Sequence, residues 1–426
     1  MNRRIAHSAL VAACLALSAQ AGAATITVND ASDPAAVGAV LVLPENCLPD
    51  SGQACRLRDA VALARGGDTI VFAPHVTVVN LYHGLDLRDR SGLPVTIDGG
   101  GRTTIAMLDN NEGGAAFRTA GPRTSNITVL RGLRVLAHSM FSPHGRSMYN
   151  CGGAVANLGQ LLISDSSLTG HAFLGGGLCN SGVARVERSM ITGQAMWGGA
   201  AIYNAGVLDV SNSSLLGTFV WGEWGANVAP ETRHASGWGA ALYNHYGTAR
   251  LDFVTFGRGW LEQPGEPLEV PCGAQVYNRS GDVSIDRSIV SVGSVRARFV
   301  DPHPIPVYPI NQLGVCGYPD MDEAPTRVSR SLIEMSGGSQ AWAHPDWVID
   351  GGGNHDVAEQ LVDGRRIAIV GPTQDNGGPT PTALPLPAIH AVVIDAVDCD
   401  GAPATDQRGV PRPQGGLCDM GALELE

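Results

Sequence analysis

The sequence predicts an all-β fold, a right-handed parallel β-helix with coils of 23 to 24 residues, a helical N-terminal cap and an irregular C-terminal cap. Two observations carry the prediction: a six-residue unit ending in asparagine occurs five times, and 55 glycines and 26 prolines defeat long helices while 44% of residues remain apolar. Short strands separated by many turns are what such a balance leaves.

The repeat occupies 152–157, 175–180, 199–204, 239–244 and 273–278, and reads Gly-Gly-Ala-Val-Ala-Asn in its first copy. The asparagines, Asn157, Asn180, Asn204, Asn244 and Asn278, stand 23, 24, 40 and 34 residues apart. With a period of 23 to 24, the two long gaps hold insertions, placed at 218–238 (rich in Trp) and 258–272 (rich in Pro and Glu). Each asparagine is followed by a glycine, a short alternating run, a Ser/Thr-rich bend and another apolar strand, three strands per coil. In a parallel β-helix each strand pairs with its copy about 4.8 Å away. Alternation then stacks Val155, Leu178, Ile202, Leu242 and Val276 inside. The asparagines share that face and are expected to form an inward ladder, since a lone buried amide costs stability and a bonded column does not. Ala156, Cys179, Tyr203, Tyr243 and Tyr277 form the column between them, on the outside. Its three tyrosines read either as a ligand platform or as cross-coil packing under a covering loop.

At the start, Met1-Asn2-Arg3-Arg4, an apolar stretch from Ile5 to Leu17 and the small residues Ala19, Ala21 and Ala23 make a Sec-type secretory signal peptide over 1–23, with lipidation at Cys14 as the rival reading. The mature chain is expected to be soluble. Residues 24–95 read as the N-terminal cap and first strands, with a short amphipathic helix from Cys55 to Ala64 covering the open end. The helix core follows over 96–300, a long loop and last coils over 301–360, and a C-terminal module over 361–426.

Eight cysteines lie beyond the signal, where an oxidising compartment pairs them. Cys47–Cys55 and Cys399–Cys418 are the local pairs, and Cys272–Cys316 is the third candidate. Cys151 stands six residues before its asparagine and Cys179 one before, about 16 Å apart along an extended strand. That exceeds the reach of a disulfide, so these two are expected to be unbonded.

Cys55-Arg56-Leu57-Arg58-Asp59-Ala60 resembles the Cys-Ser-Leu-Arg-Glu-Ala motif of secreted bacterial β-helix proteins. The segments Asp375-Asn376-Gly377-Gly378-Pro379, Thr405-Asp406-Gln407-Arg408-Gly409 and Cys418-Asp419-Met420-Gly421-Ala422-Leu423-Glu424 are similar to the C-terminal module named choice-of-anchor Q. The repeats are also similar to those of polymorphic outer-membrane proteins. The resemblance implies a secreted or surface protein, adhesin-like, with no family-wide catalytic residues.

Net charge is −12, there is no lysine, and the arginines form no run, which argues against nucleic acid as a partner. Polysaccharide chemistry on such a fold needs paired carboxylates or a positioned base. The candidate constellation is a column of His138 and His171 on successive coils, with Gln194 beneath and Arg258 further on, read either as a site or as exposed turn residues. Asp320, Asp322 and Glu323, and Asp398, Asp400 and Asp406, are candidate Ca2+ ligands, though neither set has the spacing of a known loop and solvated turns are the alternative; no other cofactor is implied. Five of seven tryptophans fall within 64 residues around the first insertion. Trp197, Trp221, Trp224 and Trp238, with Glu223 and His234, are the candidate ligand-binding set, aromatic faces stacking on sugar rings; the alternative is that they pin the loop to the wall. The expectation is a monomeric, non-enzymatic protein binding an extracellular glycan or cell surface, with a lyase acting on acidic polysaccharide as the alternative.

Overall fold

A computed structural model describes residues 23–33, 42–87, 93–107, 114–119, 127–137, 151–221, 239–257, 259–264, 275–291, 294–298, 315–317, 325–335, 348–358, 360–362 and 365–425. It is a parallel β-helix. One coil runs through strands Val155–Asn157, Gln160–Ser164 and Ser167–Leu174, the next through Leu178–Asn180, Val183–Glu187 and Met190–Gly198. Every member pairs in parallel with its copy one coil on, so that Val155, Leu178, Ile202, Leu242 and Val276 are register partners in a continuous inner column. The three-residue strands make one eight-stranded sheet, and the longer ones make a second sheet that wraps the other two sides of the coil.

Two corners hold each coil. At the first, Asn157 Nδ2 donates to Asn180 Oδ1 (2.6 Å), Asn180 to Asn204 (2.7 Å), Asn204 to Asn244 (2.7 Å) and Asn244 to Asn278 (2.9 Å), all buried. The second corner is built differently. Asp165, Arg188, Asn212, Phe253, Arg287 and Arg330 take left-handed backbone there. A serine follows most of them and turns inward. Ser166, Ser189 and Ser213 each donate a hydroxyl to the carbonyl two residues back and accept a backbone N–H from the preceding coil. The arginines reach back to the carboxylate of the previous coil, as Arg188 does to Asp165 at 2.7 Å.

The insertions begin later than the sequence suggests. Thr218–Trp221 and Gly259–Pro264 are wall strands, paired residue for residue with Phe219 opposite Trp260. Thr-Phe-Val-Trp has the period-two alternation of a strand, and its aromatic content disguises it.

Cys151 and Cys179 are bonded to each other, with Cα atoms 5.4 Å apart, contrary to the expectation that they are too distant. The distance argument assumed an extended chain. Cys151 bridges Leu174, and the chain from Leu174 to Cys179 doubles back at Gly175, where φ is +63° and a Cβ would stand 2.5 Å from the Leu178 carbonyl oxygen. Cys47–Cys55 and Cys399–Cys418 are also bonded. Cys272, and with it the Cys272–Cys316 pair, lies outside the described residues, as do residues 1–22 with the signal segment and Cys14.

The helix Leu57–Leu63 sits over the N-terminal end. Its buried Asp59 accepts from Arg56 and from the Leu43 backbone N–H, while Arg58 joins Asp33 (2.7 Å) and donates to the His83 carbonyl of the first coil. At the other terminus, residues 365–425 pack along the flank of the helix, against the second corner. Thr380 Oγ1 donates to the Arg188 carbonyl, Ser214 Oγ to Gln407 Oε1 (2.6 Å), the Ala422 N–H to Thr255 Oγ1 (2.9 Å) and the Gly421 N–H to the Arg287 carbonyl (2.8 Å). Arg287 and Arg412 each stand 4.4 Å from the ring centre of buried Phe253, one on the wall and one on the C-terminal segment. No helix among the described residues is long and apolar enough to cross a membrane.

Candidate functional site

Function on a solenoid wall is sought where an outward face carries groups that packing does not explain. Along Ser167–Leu174 and Met190–Gly198 the outward positions include His171 and Phe173, then Gln194 and Trp197. The register sets His171 opposite Gln194 and Ala172 opposite Ala195, then slips, so that Leu174 meets Gly198. The slip gives the second strand one extra residue, and such a bulge re-aims a side chain. Here it sets Trp197 at the rim of the wall, 43% exposed, its ring centre 5.1 Å from that of Phe173. Further along the same line Gln194 pairs with Phe219, Phe219 with Trp260 and Trp260 with Ser294.

The histidine column is thereby altered. The register aligns Ala137 with Gly170, one residue short of both histidines, and His138 lies outside the described residues. After Gln194 the column continues through Phe219 and Trp260, not Arg258. The cause is two extra residues: Ile191 pairs with Leu215 but Gln194 with Phe219, a surplus taken up at Gly217, whose φ is +60°, and Asn204 pairs with Asn244 but Val207 with Thr248, a second surplus taken up in the turn that follows Asn244. Arg258 itself lies outside the described residues. Past Gln194 the column turns aromatic.

Of the tryptophan set, Trp221 ends a wall strand opposite Glu262, whereas Trp224, Trp238, Glu223 and His234 lie outside the described residues. Beside the aromatic line, the wall and the C-terminal segment enclose a cleft of about 400 Å³. Leu216, Gly217 and Gly257 form one side and Val370, Pro372 and Leu386 the other, an apolar lining that offers no charge to a ligand.

The tyrosine column is packing. Tyr203, Tyr243 and Tyr277 are buried, with successive ring centres 5.4 Å apart, and they cover the Cys151–Cys179 bond. Burial pushes the Tyr203 phenol up to about 12 and raises that of Tyr243 against the opposing pull of Arg279. The Tyr203 hydroxyl shares a hydrogen bond with Nδ1 of His245 (2.7 Å), and burial, with Arg279, lowers the pKa of that imidazole. A phenol that clings to its proton beside a neutral imidazole holds shape; a lyase base needs the reverse.

Of the described residues named as Ca2+ ligands, Asp398 and Asp406 have their carboxylates answered by arginine, and Asp400 is met only at its backbone carbonyl. Asp398 accepts from Arg330 at 2.7 Å, buried Asp406 from Arg408 at 2.9 Å, and the Asp400 carbonyl from Arg287. Asp320, Asp322 and Glu323 lie outside the described residues. Among the described residues no three His, Cys, Asp or Glu side chains converge as metal ligands would.

No family model matches the chain, and no curated protein matches it. Among solved structures it is similar to pectate lyase Pel9A, at 10% identity and a TM-score of 0.37, over 95% of this chain and 97% of that one. At that level the fold rests on the strand pairing of this chain itself.

Proposed function

We propose that this is an exported β-helix protein, secreted or held at the cell surface, that binds glycan through the aromatic edge of its wall without turning it over. The observation that carries the reading is Trp197, 43% exposed, its ring packed at a tilt against Phe173 on the outward strip that also carries His171 and Gln194. An apolar ring left in water beside polar side chains is the arrangement that takes a sugar face, with hydroxyls met at the edge. Export is supported by the signal-like start, by three disulfides among the described residues, and by the motifs similar to secreted β-helix proteins and to choice-of-anchor Q modules. The tryptophans and acids of 222–238 follow directly on the Trp221 end of the wall strand and extend the same proposal.

The test is a glycan-array screen of the mature chain beside Trp197→Ala. Because the ring is exposed, the variant is expected to keep its circular dichroism and lose about tenfold or more in affinity, the scale of one aromatic contact with its hydrogen bonds. Equal binding by the two proteins would refute the edge as the site. New unsaturated uronate absorbance with any acidic polysaccharide would refute the non-enzymatic reading in favour of a lyase.

A further inference from the structure

The first corner changes shape in two adjacent coils. One residue separates asparagine from glycine in 157–159, 180–182 and 204–206, but two do in 244–247 and 278–281. The added residues are Tyr246 and Ser280, and both take left-handed backbone, φ 59° and 84°, which side chains larger than glycine adopt at a cost. The Tyr246 N–H donates to the Ser280 carbonyl (2.8 Å), so the two widened turns form one ledge. Strain retained at a surface corner, where glycine would fit without it, points to a use for the side chain.

The ledge carries a distinct set of groups. Tyr246 is 68% exposed and its ring centre lies 4.7 Å from that of His245, which is hydrogen-bonded to Tyr203. Arg279 is exposed and hydrogen-bonded to the Tyr243 phenol; the groups acting on its charge are Tyr243, Tyr246 and Tyr277. Arg188, Arg287, Arg330, Arg408 and Arg412 each have a carboxylate within 3 Å. Among the described residues no carboxylate is paired with Arg279, as none is with Arg102, Arg250 or Arg327; what sets Arg279 apart is the cluster of phenols around it. A guanidinium faced by phenols keeps its fork open for a planar anion.

From this geometry we infer that the 245–246 and 279–280 ledge is a second binding site, taking a carboxylate-bearing sugar, a hexuronate residue, with its ring on Tyr246 and its carboxylate on Arg279. It stands independently of the Trp197 edge, from which the buried tyrosine face separates it along the coil. Titration calorimetry of the full chain with galacturonate, galacturonate methyl ester and galactose tests it. Saturable binding of galacturonate is expected, with about tenfold or more lost on esterification and in Arg279→Gln, the scale of a hydrogen-bonded ion pair. Tyr246→Gly, which removes the ring and the strain together, is expected to fold and to lose binding, while Trp197→Ala is expected to bind galacturonate as the parent does. No binding of galacturonate, equal binding of galactose, or full affinity in a folded Arg279→Gln would each overturn the assignment. Loss in Trp197→Ala would place the anion on the other site.

Discussion

Asn204→Ala removes the centre of the asparagine ladder, and its cost follows from the bonds it breaks. Buried Asn204 donates to Asn244 Oδ1 (2.7 Å) and to the Gly206 and Thr248 carbonyls (3.2 and 3.1 Å), and its own oxygen accepts from Asn180 Nδ2 (2.7 Å) and the Gly206 N–H (3.2 Å). After truncation Asn180 Nδ2 keeps the Val207 carbonyl and Asn244 Nδ2 keeps the Gly247 carbonyl. The Gly206 N–H, the Thr248 side of the turn and Asn244 Oδ1 are left without this partner. At about 1–3 kcal/mol for each of the three orphaned groups, the loss is about 3–9 kcal/mol. Urea unfolding under non-reducing conditions, followed by far-ultraviolet circular dichroism, measures it from the midpoint at constant slope. Asn204→Asp keeps the shape but points an anion at three acceptors, so it is expected to cost more than alanine at neutral pH. A loss below about 1 kcal/mol for alanine, or an aspartate variant as stable as the parent, would refute the ladder as a source of stability.

Three further outcomes follow from other parts of the molecule. Peptide mapping should find Cys151 linked to Cys179, and replacing both by serine should cost about 3.5 kcal/mol for a 28-residue separation on the chain-entropy estimate; free thiols there would refute the turn geometry at Gly175. Arg412→Met leaves buried Glu424 without its 2.6 Å partner at about 3–5 kcal/mol, and hydrogen exchange should rise across 365–425 before it rises in 155–204. The pH profile of stability should carry two signatures. His245 has a lowered pKa in the fold, so the unfolded chain takes up its proton first and stability falls as pH drops through about 6.5, a slope that His245→Gln removes. Tyr203 keeps its proton to about 12, so stability falls as pH rises beyond 10, and Tyr203→Phe lessens that loss, the part left belonging to the likewise raised Tyr243; phenolate absorbance of the parent tracks it.

The coil period and the inward asparagines were legible because the unit that carries both recurs in sequence. The serine corner recurs as regularly, in Asp165-Ser166, Arg188-Ser189, Asn212-Ser213, Arg287-Ser288 and Arg330-Ser331, yet it read only as a polar bend. Its signal is the residue before the serine, which varies because the corner fixes its left-handed backbone while its side chain answers to local partners, carboxylates in the case of Arg188, Arg287 and Arg330. The Cys151–Cys179 bond was missed because residue counts convert to distance only in extended chain, and glycine cancels the conversion. The exposure of Trp197 depends on a one-residue slip between neighbouring strands, and the Gln194–Phe219 pairing on a surplus residue at Gly217. Shifts of that size vanish inside the ordinary scatter of repeat length. The widened turns at Tyr246 and Ser280, by contrast, can be seen by counting from asparagine to glycine.

A solenoid whose coils touch only their neighbours unravels like a zip, one tooth at a time from either end. The C-terminal segment here is fastened to Arg188, Ser214, Thr255, Arg287 and Arg330, residues drawn from several successive coils. It acts as a splint. No fastened coil can fray without detaching the splint from the others, so local openings in this stretch are coupled and the middle of the wall stays flat under load. For the two binding places proposed along these coils, that stiffness would fix the distance between them.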